Sequence, residues 1–490
     1  MRFKPTYILT AILVIAAIYF YQDPEFNGNS RLDAVRAVVE QGKFTIDAYQ
    51  AQPDWTTGDR ALYNGHYYTD KAAGSSLFAI PLYYLLYKTA VAFSISLTSS
   101  FIKHFLTTLV IGTSFVINGL MMYQIALLIS QSPRKSFLVA LAVSLGTMLW
   151  PYSAVYYGHV PAAMFLCIAF YVLLGMKKTS EKNIPSQFFW AGLWLGFAFI
   201  TDYTTALAIA GLIAYALYVL RGRGWSNLLR IGLEGLLGAL IPLSLLFIWN
   251  FLIFGNPFTL GYSYYQMSQT RELGSLSGLL SLKPNLSILY HITFDPQFGL
   301  FWQSPVLLLS LIGCIMAFRK SSHRIEVLIS LYAIVTILLL NASIDVWWGG
   351  YAFGARYLIV ALPFFVIPIA LIPESLTWAI DSLGIISAAQ MLIPLMGQIQ
   401  IVIEWNASQN QFWVENKPFQ GFSILWGYGL PLILRLYRSS KLSWTLGYAI
   451  RNLPHRLYLS PLILIGAEAF LIGLFYKNTK AESLQLTTKI

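Results

Sequence analysis

The chain has 490 residues, of which 57% are apolar, 16% aromatic and only 11% charged, with a formal net charge of +11. Soluble domains carry about 25% charged residues, so this composition excludes a soluble globular fold and describes a single all-α polytopic membrane domain. The positive excess does not imply nucleic acid, because it falls in short clusters between apolar runs: Arg134 and Lys135; Lys177, Lys178 and Lys182; Arg221, Arg223 and Arg230; Arg319, Lys320 and Arg324; Arg435, Arg438 and Lys441. That is the distribution expected of cytoplasmic loops. Cys167 and Cys314 fall inside predicted helices, and no Cys/His metal spacing exists. A divalent metal held by carboxylates alone stays open.

The first apolar run, residues 6–21, follows a basic start and lacks a small-x-small cleavage site, so it reads as a retained helix with a cytoplasmic N-terminus. Residues 22–74 then hold 8 of the 21 acidic residues and five Lys or Arg. Carboxylates gathered in one loop of an otherwise apolar chain mark a place for chemistry. Within that loop Ser30 can cap a helix over about residues 30–41, with Gly42 as its stop and Arg36 and Glu40 spaced for an ion pair. Its apolar face predicts a helix lying on the membrane surface. Arg31 projects toward that face, where a buried cation needs a carboxylate or a phosphate.

Further apolar runs near 75–96, 105–130, 136–152, 157–176, 187–202, 204–220, 231–254, 300–318, 325–343, 357–373, 382–403, 422–437 and 457–476 predict about 11–14 crossings. Asp202 falls at a hairpin tip and Asp295 at a turn. Outer segments are expected near 255–299, 344–356 and 404–421, and a short disordered tail over 477–490. The topology does not close. An outer loop at 22–74 and an inner Arg134 require an odd number of crossings between them, and two apolar runs are there. One run is re-entrant, one is split, or the charge rule fails at one loop.

Several short motifs follow one another in an informative order. They are Gly58-Asp59-Arg60-Ala61, Gly65-His66-Tyr67-Tyr68-Thr69-Asp70-Lys71-Ala72-Ala73-Gly74, Trp150-Pro151-Tyr152-Ser153 with Tyr157-Gly158-His159, Phe254-Gly255-Asn256-Pro257-Phe258 with Gly261-Tyr262, Gly299-Leu300-Phe301-Trp302-Gln303-Ser304-Pro305, and Gly354-Ala355-Arg356-Tyr357-Leu358-Ile359-Val360-Ala361-Leu362-Pro363. Over roughly residues 1–370 this order resembles the polytopic glycosyltransferases of the GT-C fold, near the protein mannosyltransferases and the bacterial transferase that adds aminoarabinose to lipid A.

The resemblance implies a bacterial inner-membrane enzyme that moves a sugar from a polyprenyl phosphate to an acceptor hydroxyl at the outer face. The acceptor could be a lipid, a glycan or a protein. A carboxylate of the first outer loop would be the base, and basic residues would hold the departing phosphate. One departure matters: where an acidic residue opens the helix in much of the superfamily, this chain has Asn27-Gly28-Asn29-Ser30. The candidate bases are therefore Asp70, Asp59 and Asp33. Lys71, Arg356 and Arg31 are the candidate phosphate ligands, since a guanidinium fork suits phosphate oxygens. His66, Tyr68, His159 and Tyr357 are candidates to line the acceptor or sugar cavity. The plainer readings are an Asp70-Lys71 helix anchor, a snorkelling Arg356 and a structural His159. A transporter or flippase of the same lipids, or a lipid-binding assembly factor without catalysis, is the rival function.

Overall fold

In the computed structural model, residues 4–178, 183–267, 271–272, 283–320, 322–399, 401, 403–438 and 461–487 are described. Helix α1 (Pro5–Tyr19) leads into a long folded segment, not a loose loop. Its first helix, α2 (Glu25–Arg36), runs on through a π-helical turn (Ala37–Gln41) to Gly42, whose φ of 64° is a left-handed stop. The helix thus begins five residues before the expected Ser30 cap. Asn27-Gly28-Asn29 reads locally as a turn, but tertiary contact overrides it: a Cβ on Gly28 would lie 2.1 Å from Pro24 Cβ and 3.1 Å from the Tyr156 carbonyl. Residues 28–35 are all buried, so α2 is packed on every side and does not lie on the membrane surface with one face free. The Arg36–Glu40 pair forms, at 2.8 Å.

A β-hairpin follows, β1 (Ala61–Tyr63) and β2 (His66–Tyr68), closed by Asn64-Gly65, both with positive φ as a two-residue hairpin turn requires. Next comes α3 (Gly74–Ala92), the run expected to be the second crossing. It runs beside α2 and its π-helical continuation: Ser76 Oγ donates to the Arg31 carbonyl at 3.1 Å, and seven residues on, Tyr83 OH donates to Glu40 Oε1 at 2.5 Å. The chain then turns, with Ile95 N donating to the Ala90 carbonyl, and re-enters at Ser99, whose hydroxyl donates to Asp54 in the same folded segment. A helix of this length rises about 28 Å. Residues 93–98, compacted by that turn, cannot carry the chain back across a membrane. Both ends of α3 therefore belong to one face, and α3 is not a crossing. The single helix α4 (Ser99–Ser130) then carries the chain over, and the count that failed to close becomes odd.

The bundle continues with α5 (Pro133–Leu145), α6 (His159–Gly175), α7 (Ile184–Thr201), α8 (Ala206–Val219), α9 (Trp225–Phe254), the short α10 (Leu286–Thr293), α11 (Leu309–Lys320), α12 (Arg324–Asn341), α13 (Arg356–Ala370, its first ten residues 3-10), α14 (Thr377–Met396), α15 (Leu430–Arg438) and α16 (Pro461–Thr487). Among the described residues, α4, α7, α9, α12 and Glu374–Met396 are long and apolar enough to cross a membrane, and the chain is a multi-pass membrane protein. The residues expected as a disordered tail continue α16 to Thr487; Lys, Ala, Glu, Leu and Gln there are good helix formers.

Two faces result. The basic face carries the ends of α4, α6, α8 and α11, where Lys135 reaches the Ile372 carbonyl and Glu374, and Lys177 pairs with Glu326. The loop face carries the folded 20–98 segment, the buried link 146–158 between α5 and α6, and a small antiparallel sheet, β3 (Ile403–Asn406), β4 (Gln411–Val414) and β5 (Lys417–Pro418). Gln22 clamps the two layers of that face, donating to the Leu395 carbonyl at 2.9 Å and accepting from Ile399 N at 3.3 Å. A cysteine at Ser94 is expected to react with an impermeant maleimide from the same side as one at Asn64, and opposite to one at Ser132. Labelling of Ser94 and Asn64 from opposite sides would make α3 a crossing.

Candidate active site

The charged centre of the loop face is one ammonium between two carboxylates. Lys71 Nζ lies 2.8 Å from Asp59 Oδ2 and 2.8 Å from Asp70 Oδ2, with the Lys71 side chain 8% exposed, Asp70 fully buried and Asp59 21% exposed. The hairpin β1–β2 makes this possible, since it folds the Gly58-Asp59 turn back over Asp70-Lys71. Ser30, on the buried face of α2, donates to Asp70 Oδ1 at 3.3 Å and lies 2.9 Å from the Thr69 hydroxyl. Tyr262 and Tyr265 close the far side, their ring centroids 5.8 and 5.7 Å from the ammonium.

The two carboxylates are driven apart in proton affinity. Burial opposes charge on both. At Asp59 the Lys71 ammonium overrides it, with Arg356 and Arg31 adding to the effect, and the group is held below the usual carboxylate range. At Asp70 burial wins over Lys71, and the adjacent Asp59 charge pushes further in the same direction, so the group sits above that range. Burial also works against the Lys71 charge, but Asp59 and Asp70 hold it firmly protonated. Carboxyl pairs split in this way can take different roles.

Two arginines flank this trio without a carboxylate of their own. Arg31 donates from Nε to Asn27 Oδ1 at 3.3 Å, and from Nη1 to the Ala72 carbonyl and Ser75 Oγ, each at 3.0 Å. No carboxylate meets Arg31 among the described residues; neutral acceptors hold the guanidinium. The guanidinium lies under Gly158, where an added Cβ would sit 3.4 Å from both terminal nitrogens and 2.7 Å from the Thr201 carbonyl. The Thr201 carbonyl, and not the guanidinium, is what restricts this position to glycine. Arg356 opens α13 with its guanidinium 5.0 Å from the Tyr157 ring and 5.4 Å from the Tyr357 ring. It makes no ion pair among the described residues, and its buried Nε has no acceptor.

The structure thus brings together Asp59, Asp70, Lys71, Arg31, Arg356, His159 and Tyr357. His159 sits edge-on to Tyr357 at 5.9 Å and pairs through Nδ1 with Asp202 Oδ2 at 2.6 Å. Three candidates fall elsewhere. His66 is exposed at the tip of the hairpin and pairs with Asp47. Tyr68 packs beside Phe254. Asp33 is fully buried with neither carboxylate oxygen hydrogen-bonded. Its charged surroundings are Arg36, Lys103 and Glu40, and burial pushes its carboxyl well up. The earlier start of α2 also puts an acid, Glu25, in its first turn. Burial and then Asp23 push Glu25 up to about 7, but its partners are Gln398 and Lys103, not Lys71. Tyr157, Asp202, Tyr262 and Tyr265 were missed as site residues, although Tyr157-Gly158-His159 and Gly261-Tyr262 stood out as motifs.

Lys71→Met leaves the buried Asp70 and the partly exposed Asp59 without their shared counter-charge, and losing one partner of a buried pair costs about 3–5 kcal/mol. The variant should melt well below wild type at pH 8. The gap should narrow toward pH 5, because protonated carboxyls need no counter-charge. A gap independent of pH in thermal melts would contradict this picture of the trio.

No family model matches the chain, and no curated protein matches it. Among solved structures, ArnT from Cupriavidus metallidurans bound to undecaprenyl phosphate aligns with a TM-score of 0.53 at 12% identity, over 97% of this chain and 75% of that one. The Archaeoglobus fulgidus oligosaccharyltransferase aligns with a TM-score of 0.42 at 11% identity, over 81% of this chain and 52% of that one. The arrangement of helices across nearly the whole length is that of the GT-C fold.

Proposed function

We propose that the chain is a membrane glycosyltransferase that takes a sugar from a polyprenyl-phosphate donor and passes it to an acceptor hydroxyl on the loop face. The observation that carries this reading is the pair of arginines beside the Asp59–Lys71–Asp70 trio: Arg31 is held by neutral acceptors, and Arg356 has no ion pair and no acceptor for its buried Nε among the described residues. Guanidiniums held in this way suit the oxygens of a phosphate. The ArnT structure to which the fold is similar was solved with undecaprenyl phosphate, which makes a lipid phosphate the natural test ligand. The basic clusters on the opposite face support an extracytoplasmic loop face and a cytoplasmic N-terminus; the bacterial inner membrane is part of the proposal. A transporter would be expected to hold its ionisable groups near mid-membrane in broken helices; here they cluster at one end.

In this reading Asp59 is the base, because its carboxyl is partly exposed while Asp70 is closed off, and a base must touch the hydroxyl it deprotonates. As the acceptor oxygen attacks the anomeric carbon, its proton passes to Asp59. The bond from that carbon to the phosphate oxygen breaks, with its electrons leaving on the lipid phosphate. Arg356, Arg31 and Lys71 stabilise that charge where water is scarce. Asp70, anchored by Ser30, keeps Lys71 in place once the phosphate draws it away from Asp59. Among the described residues no three His, Cys, Asp or Glu side chains converge as metal ligands, and Lys71 occupies the position between the acids that a divalent ion would take.

The test is sugar transfer from defined polyprenyl-phosphate sugars in proteoliposomes. Asp59→Asn is expected to lower kcat by about 10²–10⁴ while undecaprenyl phosphate still binds, and Arg356→Ala to weaken that binding by about tenfold or more. Full activity in Asp59→Asn removes it as base and shifts the role to Asp70. No binding of undecaprenyl phosphate by the wild type sinks the reading.

A further inference from the structure

The mechanism above leaves one buried titratable pair beside the cavity unused. His159 is the first residue of α6 and is 8% exposed. Asp202 lies in the α7–α8 turn, 43 residues away in sequence, and meets His159 Nδ1 at 2.6 Å through Oδ2. Its other oxygen, Oδ1, accepts from Thr204 N at 3.0 Å and from Thr204 Oγ1 at 2.7 Å. A carboxylate receiving two donors on one oxygen is fixed as an acceptor, so Nδ1 carries the proton that bridges to Oδ2. That leaves Nε2 as the ring's variable position, and it makes no hydrogen bond among the described residues. Groups from each neighbouring element face this ring: Asp202 from the α7–α8 turn, Arg31 from α2, Tyr157 from the link before α6, and Arg356 and Tyr357 from α13.

His159 sits edge-on to Tyr357, whose ring also meets the Arg356 guanidinium, and the adjoining Gly158 lies against the Arg31 guanidinium. Both arginine charges have the same sign as an imidazolium. A phosphate bound beside them brings the opposite sign to the ring. We propose that the Asp202–His159 pair is a proton-gated phosphate contact: arrival of the lipid phosphate draws one proton from water onto Nε2, which then donates a hydrogen bond to a phosphate oxygen, with Asp202 stabilising the imidazolium from behind. The inference rests on the lipid-phosphate reading above and adds a third type of ligand to it. It makes His159 a binding residue and Asp202 a positioning residue. The site then holds the phosphate more tightly at lower pH, and it can take up the proton only when the phosphate is present.

The full-length protein in nanodiscs, titrated with undecaprenyl phosphate by calorimetry in two buffers of different ionisation enthalpy, reads this directly. Wild type is expected to take up about one proton more per lipid bound than His159→Gln at pH 7. At pH 6.5 it should bind about tenfold more tightly than the variant, the worth of one charge-assisted hydrogen bond, and the two should converge by pH 8.5. Comparison with the variant cancels the titration of the lipid phosphate itself. Asp202→Asn, which removes the charge behind Nδ1 while leaving His159 in place, should show an intermediate uptake and carries the test if His159→Gln folds poorly. Equal proton uptake in wild type and His159→Gln, or in wild type and Asp202→Asn, overturns the proposal while leaving the transferase reading intact. Wild type that fails to bind undecaprenyl phosphate overturns both.

Discussion

Lys71 between Asp59 and Asp70 is the constraint around which the loop face is arranged. The ammonium joins the turn before the hairpin to the residues that open α3, and Ser30 ties the same trio to α2. Three elements far apart in function of sequence are thereby fixed within hydrogen-bonding distance of one another. Burying three charges costs several kcal/mol for each ion, and two pairs offset little more than that cost. A chain selected for stability alone would fill this space with apolar side chains. The trio specifies a geometry, and that geometry holds a cation and a partly exposed carboxylate side by side.

Close backbone approach makes the rest of the pocket possible. Gly158 lets the link before α6 lie against the Thr201 carbonyl, beside the Arg31 guanidinium. At Gly74 an added Cβ would fall 2.2 Å from Thr201 Oγ1, so the start of α3 sits directly on the end of α7. The α7–α8 turn, the start of α6 and the start of α3 are therefore stacked around Thr201, and Asp202 follows it. The same stack that seats Arg31 also delivers Asp202 to His159. Cation and dyad share one support, so a change that loosens this stack displaces both.

Much of the bundle was legible because apolar runs of membrane length have few alternatives, and each span from 105–130 onward overlaps a helix, although the ends at 136–152, 300–318, 382–403 and 457–476 miss by seven residues or more. The α3 run was misread because composition cannot separate an apolar helix that crosses from one that lies beside another helix; the decision rests on Ser76, Tyr83 and Ser99 meeting the 20–98 segment. The start of α2 was misread because Asn-Gly-Asn is a turn by propensity and a helix only when Pro24 and Tyr156 close over it. Motif order brought Asp59, Asp70, Lys71 and Arg356 to attention as separate points. Their convergence, and the partnership of His159 with a turn residue 43 positions away, are tertiary facts that no local pattern carries.

The apparent loss of an acid at Asn27–Ser30 takes on a different meaning in this setting. Asn27 accepts from Arg31 Nε, and Ser30 donates to Asp70 Oδ1. An aspartate at position 27 would pair with Arg31 and neutralise one of the cations that face the cavity. A neutral amide holds the guanidinium in the same place and leaves its charge available to an anion. Two further carboxylates, Asp59 and Asp70, sit at the far end of the segment, where Lys71 balances them. The acid that does open α2, Glu25, is turned toward Gln398 and the loop-face sheet, away from Arg31. The hairpin thus places two carboxylates beside Lys71, while Asn27 leaves the Arg31 charge without an acid beside it.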